Sequence, residues 1–167
     1  MTIETGVVSA ARRPGGASAL QTILLAGCTA ATIDLLFAFV FFGLRVGVTP
    51  VRVMQSVASG LFGPASFEGG WATAAAGFVA HYVILIGAAA LYYVASRRLA
   101  WLNRNAAAAG VLFGLAIYIV MTFVIVPLSA ARSRPLSFSI NDIGQFLIHP
   151  VLGVAIAMIV RRAARTR

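Results

Sequence analysis

Lysine is missing from this chain, cysteine occurs once, histidine twice, and aspartate and glutamate together only four times. The lone Cys28 has no partner for an intrachain disulfide and reads as an inert packing residue inside an apolar run. Charge is scarce throughout: 10% of the 167 residues are charged and 60% are apolar, with a mean hydropathy of +0.95. A soluble domain carries about 25% charged residues, so that class is excluded. The glycines form neither a phosphate-binding loop nor a dinucleotide fingerprint, and no serine sits in a nucleophile elbow. His81, His149 and Asp34 are ligand types found in metal sites. They come from three separate apolar runs and share no short ligand motif, so neither a metal nor a cofactor is expected.

What the chain does have is arginine, which supplies all 13 basic residues and a net charge of +9. Such a charge alone would suggest nucleic acid. The arginines instead fall in the gaps between apolar runs, where they set topology and contact anionic lipids, so the bilayer is the expected partner and nucleic acid is not. Four runs, residues 20–42, 71–96, 106–128 and 143–160, have about the 20 residues needed to cross about 30 Å of hydrocarbon. The first is longer than a signal-peptide core and reads as a retained helix. The fold class is therefore all-α, a polytopic four-helix transmembrane bundle. Residues 1–18 are expected to form a flexible tail, 19–162 one membrane domain and 163–167 a basic tail. Nine arginines lie in the tails and second linker against four in the first and third linkers, which predicts both termini in the cytoplasm.

The first connector, TPVRVMQSVASGLFGPASFEGGW, carries its own pattern. Thr49 is a candidate helix cap and Pro50 suits the first helical position. Arg52, Gln55, Ser56 and Ser59 then fall on one side, as a candidate outer surface, with Val53, Val57 and Leu61 on the other. A short amphipathic helix is expected there, lying on the membrane or over the helix ends, with Ser66 open to the outside and Gly69-Gly70 leading back into the bilayer. The third linker, PLSAARSRPLSF, shares the outer face and contains a candidate turn at Arg134-Pro135-Leu136.

Within the runs a spacing of four repeats: Ala26, Ala30, Asp34, Ala38; Thr73, Gly77, His81, Leu85; Gly110, Gly114, Tyr118, Thr122; His149, Gly153, Ala157. Each series lies on one helix face, and the small residues, Gly77, Gly110, Gly114 and Gly153 among them, permit close helix packing. The same spacing also arises by chance in a chain so rich in Ala and Gly, and it would equally serve to line a substrate path. Asp34 lies eight residues, about 12 Å, inside the expected outer end of its run. His81, Tyr118 and His149 fall at comparable depths, and together they form a candidate intramembrane polar cluster. A carboxylate there must be neutral, hydrogen-bonded or paired, with His81 the first candidate partner and His149 the second. Such a cluster acts either as a polar clasp between helices or as a proton or substrate relay.

RVMQSVASGLFG, FEGGWATAA followed by AHY, LAIYIVMTFVIVPLSA and GQFLIHP resemble an uncharacterised family of small bacterial inner-membrane proteins over residues 20–162. That resemblance implies a four-span fold and puts His81, Pro127, His149 and Pro150 at motif positions. It implies no activity. A fainter similarity, carried by His81, Pro127-Leu128 and His149, is to an inner-membrane family associated with acid resistance. The chain departs from it in a longer first connector and in having few acids. The expectation from sequence is an inner-membrane structural or accessory protein for envelope stress or complex assembly, with no enzymatic site. The alternative is a small transporter or channel component, acting as a homo-oligomer or within a larger complex.

Overall fold

The computed structural model describes residues 18–131 and 139–165. The protein is an all-α four-helix bundle whose four long apolar helices, Ala19–Val46, Gly70–Arg98, Ala106–Leu128 and Ile140–Arg165, have the length and hydropathy of membrane spans. It is a multi-pass membrane protein. The N-terminal tail before Ser18, the candidate turn at Arg134-Pro135-Leu136 and the end of the basic tail lie outside the described residues.

Local chemistry sets the helix ends. Ser18 begins the first span with a reciprocal capping box, its Oγ accepting from Gln21 N–H at 3.1 Å while Gln21 Oε1 accepts from Ser18 N–H at 2.9 Å. The helix continues past the expected Phe42 to Val46 and stops at Gly47, whose φ of 67° is a left-handed cap suited to glycine. Arg45 in the last turn complements the carbonyl end of the dipole. The fourth span likewise starts earlier than expected. Ser139 N–H and Oγ both donate to Asp142 Oδ2, at 3.1 and 2.9 Å, and cap the helix that opens at Ile140.

The third span contains a π-helical stretch at Met121–Ile125, closed by a Val126 N–H bond to Met121 C=O. Pro127 follows directly. A proline has no N–H to give and crowds the preceding turn, and a widened turn is one way a helix accommodates it. The second linker forms a short helix at Ala100–Arg104. Tyr92 Oη donates to Leu102 C=O at 3.1 Å and Asn103 Nδ2 to Ser96 C=O at 3.0 Å, which fold that linker against the bundle.

The first connector is helical over Pro50–Phe62, capped by Thr49 and followed by a tight 3-10 turn at Gly63–Phe67. Its polar residues do not form one outward surface. Arg52 and Ser56 are exposed, but Gln55 and Ser59 are 4% and 7% exposed, and Leu61 is 61% exposed. The helix packs on the second span rather than lying free, and Gln55 turns its amide inward to donate to Gly70 C=O at 3.0 Å. Ser59 satisfies its hydroxyl on its own helix, at Ser56 C=O. Ser66, expected to face outside, is completely buried.

The fourth span is central, packing along both the third and the first, while the first also packs along the second. Close approach explains these seams. A Cβ on Gly27 would stand 2.5 Å from Ile86 Cα, and one on Gly110 would stand 2.6 Å from Val154 Cα. Gly114 and Gly153 are equally tight against each other's helices, so Gly110, Gly114 and Gly153 form a single glycine-lined seam between the third and fourth spans. Gly77 serves a different contact: it lies beneath Met54 of the connector helix, not against another span. The second and third spans do not pack along each other.

Candidate functional site

Asp34 and His81 meet across the first and second spans, with His81 Nε2 3.6 Å from Asp34 Oδ2. The same nitrogen lies 3.3 Å from Ala31 C=O, one turn before Asp34. A carbonyl only accepts, so Nε2 carries the hydrogen and is held between the carbonyl and the carboxylate. Asp34 has no hydrogen bond among the described residues: its contact with His81 is too long for one, and its buried Oδ1 has no partner. Beside this pair, Thr32 Oγ1 and Tyr82 Oη are 2.9 Å apart, a second polar link between the same spans. Thr32 is two residues from Asp34 and Tyr82 adjoins His81, the spacing that would have marked them in sequence.

His149 approaches from the fourth span. Its Nδ1 is 2.6 Å from Gln145 C=O and therefore donates, leaving Nε2 as an acceptor with no partner among the described residues. The Tyr118 ring of the third span packs edge-on against His149 and Phe146, with centroid separations of 5.3 and 5.4 Å.

All four residues border one cleft of about 580 Å³. It occupies the gap left because the second and third spans part company toward the end that carries the connector helix. Ser56 and Gly60 of the connector helix and Ser129 at the end of the third span border its mouth. Ala130 N–H bonds to Gly60 C=O at 3.0 Å there and ties the two together. Ile84 and Ile117, Met121 and Ile125 give the cleft apolar flanks. Toward the second linker the gap closes where the Tyr92 and Phe113 rings meet at 5.0 Å. The third-span series divides accordingly: Gly110 and Gly114 pack on the fourth span, while Tyr118 and Thr122 line the cleft.

The longer first span also changes the depth of the site. Asp34 is twelve residues from Val46, or about 18 Å along the axis rather than the expected 12 Å. That places the cluster near the middle of the first span, Ala19–Val46. Gln145, which positions His149, was not singled out in sequence; its spacing of four from the histidine on a helix is the available signal. Among the described residues no three His, Cys, Asp or Glu side chains converge as a metal-binding set. Arg52 remains outside the site, donating to Phe67 C=O at 3.2 Å and lying 4.3 Å over the Phe67 ring. No family model, curated protein or solved structure matches the chain.

Proposed function

We propose that this protein is a small transport component of the bacterial inner membrane that admits a polar ligand from the outer side into the cleft between its second and third spans. The observation that carries this reading is the convergence of Asp34, His81, Tyr118 and His149, one from each span, on a single cavity of ligand size. Polar and ionisable groups inside a bilayer are costly, and they are commonest where they serve a pathway. Binding near mid-depth between helices, closed on one side and open on the other, suits an alternating-access device. In this reading Asp34 and His81 exchange a proton as the ligand enters or leaves, and His149 contacts the ligand. A purely structural or accessory role leaves such a cleft without use. One chain supplies the whole lining, so the proposal does not require an oligomer.

The arginine asymmetry supports both termini in the cytoplasm and the cleft opening to the periplasm. A reporter fused after Arg162 then reads as cytoplasmic, and a cysteine at exposed Ala65, rather than buried Ser66, reacts from outside. For function, Thr122→Cys in a Cys28→Ala background is expected to react with a membrane-impermeant thiol reagent, and the reconstituted protein to conduct protons in a manner lost in Asp34→Asn. An unreactive Thr122→Cys, together with vesicles no leakier to protons than empty ones, would refute the transport reading.

A further inference from the structure

We propose that the ligand of this cleft is a hydrophobic primary amine, bound as its ammonium ion with Asp34 as counter-charge. The inference rests on the transport reading of the same cavity and adds the chemical class of what enters it. It starts from hydrogen-bond bookkeeping. Asp34 is an acceptor whose side chain is 17% exposed to the cleft and whose nearest donor, His81 Nε2, stands at 3.6 Å. His149, which lines the cleft, offers Nε2 as an acceptor when neutral, because its Nδ1–H is taken by Gln145 C=O. Tyr118 adds a phenol oxygen and an aromatic ring beside them. A group that brings several N–H donors and one positive charge satisfies this set, and an ammonium brings three. The aromatic ring adds a further attraction for a cation.

Charge selection agrees. The chain has 13 arginines and only four acids, yet no described arginine lines the cleft, whereas Asp34 does. Among the described residues, an anionic ligand would find no cation at the cleft except a protonated histidine. The rest of the ligand is specified by the flanks, where Ile84 from the second span and Ile117, Met121 and Ile125 from the third present hydrocarbon to anything that extends sideways toward lipid. An ammonium on an apolar body matches both parts. It can be a free alkylamine or the amine headgroup of a lipid.

The chain has only two histidines, so their side-chain nitrogen resonances in the full-length protein are readily assigned. With the protein in phosphatidylglycerol nanodiscs, octylamine is titrated beside octanol and octanoate of the same chain length. Octylamine is expected to shift the His149 Nε2 resonance saturably, while octanol and octanoate do not. Asp34→Asn should weaken the octylamine response about tenfold or more, as loss of a charge-assisted bond does. Replacing half of the lipid by phosphatidylethanolamine identifies the source: a shift matching that of octylamine assigns the lipid headgroup, and none assigns the free amine. Equal responses to octanol and octylamine, or a response to octanoate alone, would overturn the amine assignment. Because that series uses the unmodified chain, it decides even if Asp34→Asn does not fold. Thr122→Cys reactivity and vesicle proton flux remain separate, so an amine that fails to bind a reactive, conducting cleft rejects only the ligand.

Discussion

The two ends of the bundle are built on opposite principles. At the second-linker end Tyr92, Ala106, Ile156 and Val160 are each 0–1% exposed, and two side-chain bonds draw the second linker onto the helices. At the connector-helix end the second and third spans separate, and the space between them collects a carboxylate, two imidazoles and a phenol. A bundle that needed only to persist in lipid would gain from packing both ends alike, since helix association there depends on van der Waals contact. This one packs tightly where its residues are small or apolar and stays apart where they are polar. The glycine seam makes the asymmetry possible: it fastens the third span to the fourth so firmly that the third needs no continuous contact with the second.

The largest effect is expected from breaking that seam. Gly114→Val places a side chain on the His149 carbonyl oxygen, with Pro150 Cα only 2.8 Å from the new Cβ, and both obstacles are backbone. The third span must move, at a cost of about 3 kcal/mol, measurable by denaturant unfolding in mixed micelles. Gly87→Ala is the counterpart. Nothing lies within 4 Å of its added Cβ, so it should be neutral or stabilise the helix by about 0.5 kcal/mol. Equal losses at the two glycines would show that helix propensity rather than close approach governs the seam.

A smaller effect tests the inner closure. Tyr92→Phe keeps the ring against Phe113 but removes the bond to Leu102 C=O. A loss of about 1 kcal/mol is expected, because the carbonyl is left short of a partner in a buried setting. Thr122→Cys should keep its reactivity toward an external thiol reagent in this variant. If the reactivity fell, the two ends would be coupled, and the comparison would have to be redrawn as one mechanical unit.

The spans were legible because hydropathy and length are properties of contiguous sequence. The four polar residues were legible because a charged or polar side chain stands out inside an apolar run, and the spacing of four put Tyr118 in line with Gly114. The cleft was not. It depends on neighbour order, on the third span choosing the fourth and not the second, and nothing local in Ala106–Leu128 encodes that choice. The connector misled for a related reason. The polar side is expected to face outward, but Gln55 turns inward and donates to Gly70 C=O at the start of the second span, a contact visible only after folding. Gly77 does permit close helix packing, but its partner, Met54, belongs to the connector helix, and the sequence does not say which helix it would meet. The π-helical turn before Pro127 was hidden because a proline marks a disruption without saying which form the helix takes around it.

The smallest expected effect is also the one that separates the two roles of the outer cluster. Asp34→Asn keeps the shape and hydrogen-bonding capacity of the side chain while removing its charge, whereas His81→Leu removes the imidazole nitrogen 3.6 Å from the carboxylate and strands it. The asparagine variant should therefore be the more stable of the two. The coupling between the two substitutions in a double-mutant cycle should be modest, no more than the about 0.6 kcal/mol typical of hydrogen-bonded pairs inside membranes. A 3.6 Å separation between His81 Nε2 and Asp34 Oδ2 leaves little direct bonding to lose. A pair selected as a clasp should couple more strongly than this and leave proton flux unchanged when broken. A pair that couples weakly, yet whose loss abolishes flux in folded protein, has its worth in the moving proton, and the open end of the bundle is then the working end.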